Sequence, residues 1–181
     1  MTRRTLGAAL VTATALAATP GIVAAEPAPQ SERTTKPSIH MLEGFSFVPN
    51  RYMQEKQRFN KDIYSLKSGA TIQLKNRSEE EPHTLSIVSR SDVPKTPRAL
   101  GGCFEGGVCG ALLQAHQFPQ GDGDPAVPLL NKGAPGLDVK GDSMYLKGGA
   151  SKSVKLSAKA GSTLSFICIL HPWMQAKITV R

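Results

Sequence analysis

The sequence predicts an all-β protein, a small sandwich or barrel built from short strands. In several short runs, apolar residues recur at every second position, which is typical of strands with one buried face. Turn signals rich in Gly and Ser separate these runs, as at 68–69, 148–149 and 160–162. The 181 residues are 40% hydrophobic and contain only three cysteines. A hydrophobic core, and not a disulfide framework, must therefore stabilise what is expected to be one domain.

The first 25 residues have the pattern of an export signal. Arg3 and Arg4 precede an apolar run over residues 6–18, and residues 23–25 resemble a signal-peptidase site. An apolar run of 13 residues is too short to span a bilayer, which takes roughly 20 residues in a helix. We therefore expect cleavage after residue 25, by the general secretory or the twin-arginine route. The expected location is the bacterial periplasm, the cell surface or the extracellular medium.

Residues 26–37 have no apolar periodicity and are expected to form a flexible lead-in to a domain over residues 38–181. Cleavage removes two arginines and no acidic residue, so the net charge of +8 becomes +6. This excess indicates only that an acidic partner would be favoured by electrostatic steering. Nucleic-acid binding is not indicated, because the lysines are scattered and no aromatic residues are interleaved with them.

Within the domain, strand patterns follow one another along the chain. They lie around Phe45 and Phe47, Ile72 and Leu74, His83 to Ile87, Val154 and Leu156, Leu164 to Phe166, and Ile178 to Val180. Residues 49–62 are polar and irregular, and they predict a short helix or a long loop. Residues at about 90–141 are rich in Gly and Pro and predict a loop insertion, with room for one short helix over 110–117.

The segment from Cys168 to Met174 carries the most informative pattern. A predicted strand leads into Cys168, His171 follows three residues later, and Met174 follows after three more. A thiolate, an imidazole and a thioether on one tight loop suit a single copper ion. A trigonal set of two His and one Cys with a long axial Met is the blue-copper electron-transfer arrangement. The alternative is an inert, buried Cys168 in a β-sandwich that serves adhesion or binding without a metal.

Such a site needs a second histidine from elsewhere in the fold, and His83 is the best candidate. It lies on the inward side of its predicted strand, directly after a proline, where a strand end can meet the C-terminal loop. His116 has no thiolate or thioether at a matching spacing, and the pair His40-Met41 suits only weak Cu(I) binding. The predicted metal ligands are His83, Cys168, His171 and Met174.

With the ligand loop C-I-L-H-P-W-M over 168–174, the sequence resembles the cupredoxins, the small type 1 copper proteins, and most closely their plastocyanin- and amicyanin-like members. The segment E-P-H-T-L around His83 is similar to the first-histidine segment of the family. The resemblance covers about 38–89 and 142–181. It implies a Greek-key β-sandwich that holds one copper ion near one end. It also implies that Pro172 and Trp173, which flank His171, form an apolar patch where a redox partner docks.

Two positions depart from the pattern of the family. Thr84 follows the first histidine, where the family often has an Asn that ties the two ligand loops together. Ile169 follows the cysteine, where the family often has Ser or Thr. Both departures bear on the redox potential more than on the metal site itself. The insertion at about 90–141 is also not typical of the small members.

Cys103 and Cys109 lie in a glycine-rich part of the insertion. In an exported protein, two such cysteines most simply form a disulfide. The alternative is a second metal site that includes His116, although the cysteine spacing is wide for a dinuclear copper loop and no Met follows nearby.

The sequence thus predicts an exported mononuclear type 1 copper protein that transfers electrons and is not an enzyme. The alternative is a copper carrier or chaperone without a redox role. A copper oxidase or nitrite reductase activity of this chain alone is not expected. A trinuclear cluster would need far more than the four histidines present, two of which are already assigned.

Overall fold

The structure is a computed structural model that describes residues 36–119, 121 and 123–181. In chain order, the strands are β1 (Ser38–Leu42), β2 (Phe45–Val48), β3 (Tyr52–Glu55), β4 (Arg58–Phe59), β5 (Ile63–Leu66), β6 (Thr71–Asn76), β7 (His83–Val88), β8 (Leu129–Leu130), β9 (Ser143–Leu146), β10 (Ser151–Lys155), β11 (Thr163–Ile167) and β12 (Gln175–Val180). Helices α1 (Pro97–Phe104) and α2 (Val108–His116) lie between β7 and β8. The predicted signal peptide and most of the predicted lead-in lie outside the described residues.

Two sheets form a β-sandwich, as predicted. The first has the strand order β10-β6-β1-β4, and the second has the order β5-β12-β11-β7-β9-β8. The chain passes repeatedly from one sheet to the other, which is the connectivity of a Greek key. Most neighbouring strands are antiparallel, whereas β1 pairs with β6 and β5 with β12 in parallel. The predicted fold class is therefore confirmed.

The main core lies between the inward faces of the two sheets. Ile39 and Leu74 come from the first sheet, and Leu85 and Phe166 from the second, and all four are fully buried in one cluster. The Phe166 ring packs edge-on against the Phe59 ring, with centroids 4.7 Å apart. This core explains the period-2 pattern of the sequence, because every second side chain of β6 and β11 faces it.

A second, smaller core covers the outer face of the larger sheet. Ile167 and Ile169 point away from the main core and pack with Cys109 and Leu112 of the insertion. Strand β7 is consequently buried along its whole length, because both of its faces are covered. The insertion is thus a packed layer on the sandwich rather than a detached loop.

The insertion contains more helix than the sequence predicted. Helix α2 corresponds to the short helix expected over 110–117, but α1 was not predicted. Its start is encoded by Thr96, whose hydroxyl accepts a hydrogen bond from Ala99 N, and by Pro97 in the first turn. Glycines within α1 and between the helices hid this helix from a propensity-based prediction.

The predicted disulfide between Cys103 and Cys109 is confirmed, and it joins the end of α1 to the start of α2. The glycines around it serve a close approach. A Cβ atom on Gly107 would lie 2.4 Å from the Gly102 carbonyl oxygen, and one on Gly110 would lie 2.5 Å from the Phe104 carbonyl oxygen. Only glycine fits where the backbones of these two helices meet.

The prediction of a helix or loop over residues 49–62 is wrong, because the segment forms β3 and β4. Strand β3 pairs with β2 as an exposed hairpin, and every β3 side chain is exposed. Without a buried face there is no alternation of apolar and polar residues to reveal the strand. Among the described residues, none of the helices is both long and apolar enough to cross a membrane.

Candidate metal centre

The strand pairing brings the predicted ligand residues to one end of the sandwich. His83 is the first residue of β7, and Cys168 follows the last residue of β11. These two strands are antiparallel neighbours, with Ser86 opposite Ile167. The start of one and the end of the other therefore lie at the same edge of the sheet. The loop from Cys168 leads through His171 and Met174 directly into β12.

Three donor atoms face one another at this edge. The Nδ1 atoms of His83 and His171 are 3.1 Å apart, and the Cys168 Sγ lies 3.8 Å from the first and 3.7 Å from the second. A triangle with these sides has its centre about 2.1 Å from every corner, within the roughly 2.0–2.3 Å at which imidazole nitrogen and thiolate sulfur bind a first-row metal ion. The three donors therefore fit a trigonal metal site.

The chemistry of the donor set matches copper. Within residues 36–119, 121 and 123–181, His83, Cys168 and His171 are the single group of three or more His, Cys, Asp or Glu side chains suited to hold a metal ion. Met174 is 1% exposed and packs in the same core cluster as Cys168. Two imidazoles and a thiolate with a nearby thioether are a type 1 copper set.

The ligand loop is held in shape by its own main chain. Cys168 N–H donates to the Met174 carbonyl at 3.0 Å, and Met174 N–H donates to the His171 carbonyl at 2.8 Å. The Gln175 amide donates to the carbonyls of Pro172 and Pro94, at 2.9 and 2.7 Å. These bonds fix the positions of the donors before any metal is bound.

Thr84 ties the two ligand segments together. Its main-chain N–H donates to the Cys168 Sγ at 3.3 Å, and its hydroxyl accepts a hydrogen bond from Ile169 N–H at 2.9 Å. This residue stands where the cupredoxins often have an Asn that ties the two ligand loops together. The hydroxyl of Thr84 links the His83 segment to the Cys168 loop.

Burial controls the protonation of the donors. It lowers the pKa of His83 to about 4, with a further contribution from His171. It also lowers the pKa of His171, although the carboxylates of Glu81 and Glu55 oppose this effect. Both imidazoles are therefore neutral near pH 7, which is the form that binds a metal. Burial raises the pKa of the Cys168 thiol, so a metal must displace its proton on binding.

The two ligand histidines differ in their access to solvent. His83 is fully buried, and its Nε2 has no hydrogen-bond partner among the described residues. His171 is only partly buried, and its ring contacts the Trp173 ring edge-on, with centroids 5.3 Å apart. His171 is therefore the ligand that connects the site to the surface.

The two residues of the predicted docking patch differ in their exposure to solvent. Pro172 is buried, so it does not present apolar surface, whereas Trp173 is 40% exposed. The Pro172 carbonyl accepts a hydrogen bond from the Gln175 amide. Carboxylates lie near the same rim, because Glu81 and Glu55 act electrostatically on His171, and the Gln57 amide donates to both Glu55 and Glu81, at 2.7 and 3.0 Å.

The remaining histidines take no part in the triangle. The sulfurs of Cys103 and Cys109 are joined as a disulfide, so the alternative of a second metal site with His116 is not formed. His116 is instead fully buried, and both of its ring nitrogens are hydrogen-bonded. No spacing signal in the sequence pointed to that role.

Known proteins are at most distantly similar to this chain. No family model and no curated protein matches the chain. Among solved structures, it is similar to auracyanin A, a "blue" copper protein from Chloroflexus aurantiacus, with 22% identity and a TM-score of 0.40 over 68% of this chain and 89% of that chain. It is also similar to the auracyanin of Roseiflexus castenholzii, with 20% identity and a TM-score of 0.41 over 68% of this chain and 87% of that chain. A third similar structure is a purple cupredoxin from Nitrosopumilus maritimus, with 12% identity and a TM-score of 0.42 over 80% of this chain and 99% of that chain.

These identities and TM-scores are low, so the assignment rests on the strands and donor atoms of this chain. In fold and ligand set, the chain resembles the cupredoxins. The described domain is a cupredoxin-like β-sandwich, and the four side chains at its end are positioned for one copper ion.

Proposed function

We propose that this protein is an exported type 1 copper protein that carries electrons between partner proteins and is not an enzyme. The observation that carries this proposal is the preformed triangle of His83 Nδ1, His171 Nδ1 and Cys168 Sγ, with sides of 3.1 to 3.8 Å. Copper bound there would supply one-electron exchange between Cu(I) and Cu(II). The buried ligands His83 and Cys168, together with His171 and Met174, would occupy the coordination positions of the copper ion. No position would then be open for a substrate.

The surroundings of the donors support fast electron exchange. Main-chain bonds at 2.8 and 3.0 Å hold the loop, and the Thr84 N–H and hydroxyl hold the cysteine end. A donor set that is fixed in this way changes little when the charge of the metal changes, so little reorganisation is needed. Burial of His83 and Cys168 keeps water out of the site.

The same burial weighs against the alternative of a copper carrier or chaperone. A protein that hands its metal to another must expose ligands to the acceptor, but Cys168 and His83 are 0% exposed. Only His171 lies near the surface. An electron can pass through that imidazole, whereas the metal ion cannot leave without opening the loop.

For partner docking, we propose the rim around His171 and Trp173. Trp173 supplies exposed aromatic surface next to the ligand ring. The net charge of +8, which the proposed removal of residues 1–25 with two arginines reduces to +6, favours an acidic partner through steering, although Glu55 and Glu81 reduce the positive potential next to His171. Electron exchange with an acidic redox protein should then slow as salt is added. A rate that rises with salt would exclude an acidic partner.

The central experiment is titration of the purified protein with Cu(II), followed by visible absorption and EPR spectroscopy. An intense charge-transfer band that is lost in Cys168→Ser is expected, together with a reversible Cu(I)/Cu(II) couple. His40→Gln is the matched control, because His40 lies outside the site, and it should keep the band. A colourless complex, or a band that survives in Cys168→Ser, would overturn the copper-thiolate assignment. A blue complex without a reversible couple would favour the carrier role.

Export is proposed from the sequence of residues 1–25 alone. Mass spectrometry of the protein recovered from periplasmic and extracellular fractions of a bacterial host should give a chain that begins at Glu26. Recovery of the intact chain from the cytosol alone would contradict export.

A further inference from the structure

A buried chain of hydrogen bonds runs from the metal centre to helix α2 in the insertion. The Thr84 hydroxyl is 3.0 Å from the Ser86 hydroxyl, which is 2.6 Å from the Ser143 hydroxyl. The Ser143 hydroxyl is 2.7 Å from His116 Nε2. All four residues are 0% exposed. Side chains of β7, β9 and α2 are thereby linked in one polar network inside an otherwise apolar region.

His116 fixes the far end of this chain. Its Nδ1 is hydrogen-bonded to the Val127 carbonyl, which can only accept, so Nδ1 carries the proton. Burial lowers the pKa of His116, so the ring is neutral near pH 7 and its Nε2 is an acceptor. The Ser143 hydroxyl then donates to Nε2, while the Ser86 hydroxyl donates to Thr84. The imidazole therefore fixes the Ser143 hydroxyl, whose oxygen lies 2.6 Å from the Ser86 oxygen and so holds Ser86 in place beside Thr84.

The near end of the chain lies beside the thiolate donor. Thr84 N–H donates to the Cys168 Sγ at 3.3 Å, and the Thr84 hydroxyl accepts from Ile169 N–H at 2.9 Å. Hydrogen bonds to a ligating cysteine sulfur favour the more electron-rich, reduced form of the site and so tune its potential. A change in the orientation of Thr84 therefore reaches the sulfur without any contact between His116 and the ligands.

An apolar side chain would fill the position of His116 without the cost of burying an imidazole. A buried polar group is tolerated only when its hydrogen bonds are made, and here both ring nitrogens have partners. Cys109 and Leu112, on the same helix, supply the apolar packing. The imidazole thus adds a directional contact that packing alone does not require.

We propose that His116 is a positioning residue for the metal centre, acting through Ser143, Ser86 and Thr84 on the hydrogen bond to the Cys168 sulfur. This inference rests on the proposed copper function for its effect on the potential, but not for its effect on the metal-free protein. It assigns a role to the insertion, which carries the residue that completes the polar network behind the ligand loops.

The test compares His116→Phe and Ser143→Ala, singly and together, with Leu112→Ala as the matched control. Leu112 is equally part of the insertion core but makes no contact in the hydroxyl chain. In the copper-loaded protein, each of the first two variants should shift the Cu(I)/Cu(II) equilibrium toward Cu(II) by about threefold. This corresponds to about 28 mV at 59 mV per tenfold change. The double variant should shift it no further, because both substitutions break one chain.

The metal-free protein supplies a second readout by amide hydrogen exchange. The Thr84 and Ile169 amides should exchange about tenfold faster in His116→Phe and in Ser143→Ala than in the wild type, and in Leu112→Ala they should change no more than other core amides. An unchanged potential and unchanged exchange in folded variants, or an equal shift in Leu112→Ala, would overturn the proposal. If His116→Phe does not fold, Ser143→Ala decides. If no Cys168-dependent copper band forms, the copper function fails, and amide exchange still tests the network.

Discussion

Acidification should destabilise the metal-free protein through His83. Burial and the neighbouring His171 lower the pKa of His83 from 6.5 to about 4. In the unfolded chain, this histidine titrates near its ordinary value of about 6.5. Between these two values the unfolded chain binds more protons at this position than the folded protein does, so stability falls as the pH falls through this window. At about 1.36 kcal/mol for each pKa unit, the loss attributable to His83 is about 3 kcal/mol.

Urea unfolding of the metal-free protein, with Cys168 as a free thiol and the Cys103–Cys109 disulfide intact, measures this loss at pH 7 and at pH 4. The comparison is with His83→Gln, because a glutamine of similar reach cannot take up a proton. Burial also lowers the pKa of His40, His116 and His171, so part of the pH dependence is shared by both proteins and cancels in the comparison. The wild type should lose about 3 kcal/mol more than the variant. Equal losses, or a His83 pKa of 6 or above by NMR titration, would refute the reasoning.

Three further predictions concern the site and its support. Thr84→Val removes the acceptor of the buried Ile169 N–H, so the free energy of unfolding in urea should fall by about 1–3 kcal/mol. Thr84→Ser keeps a hydroxyl and should retain most of that stability. Equal losses in the two variants would contradict the role of the hydroxyl as acceptor. Replacing Cys103 and Cys109 by Ser opens a loop with a sequence separation of 6, so the free energy of unfolding measured by thermal denaturation should fall by about 2 kcal/mol. An unchanged stability would show that the disulfide does not stabilise the fold. Met174→Leu removes a sulfur donor that favours Cu(II) over Cu(I), so voltammetry should show a higher reduction potential. The rise should be roughly 59 mV for each tenfold loss of the preference for binding Cu(II). An unchanged potential would exclude Met174 as the axial ligand.

The C-terminal half of the site could be predicted from the sequence because its residues are local. Cys168, His171 and Met174 lie on one short loop after an alternating strand, so their spacing alone indicates a mixed sulfur and nitrogen donor set. The same holds for the disulfide between Cys103 and Cys109. The strands β6, β7, β11 and β12 were also predictable, because apolar and polar residues alternate along at least part of each.

Elements that lack a buried face, or that depend on close packing between helices, were harder to predict. Strand β3 is exposed throughout and reads as a polar loop, whereas α1 is rich in glycine because α2 approaches it closely. Pro172 illustrates the same limit at the site. Its place beside a ligand histidine suggested a surface patch, but in the folded protein it is buried. In each case, the deciding contact comes from packing rather than from the local pattern.

The sequence by itself determined which residue types are available for a copper site and which faces of the strands are buried, because side-chain chemistry and period-2 alternation are local properties. Only the tertiary structure decided that His83 Nδ1 lies 3.1 Å from His171 Nδ1, across 88 positions of the chain. It also decided that Thr84 ties the ligand segments and that His116 reaches them through two serines. Those arrangements depend on which strands pair and on what covers the outer sheet face. Pairing and coverage are properties of the whole folded chain, because many weak contacts set them together.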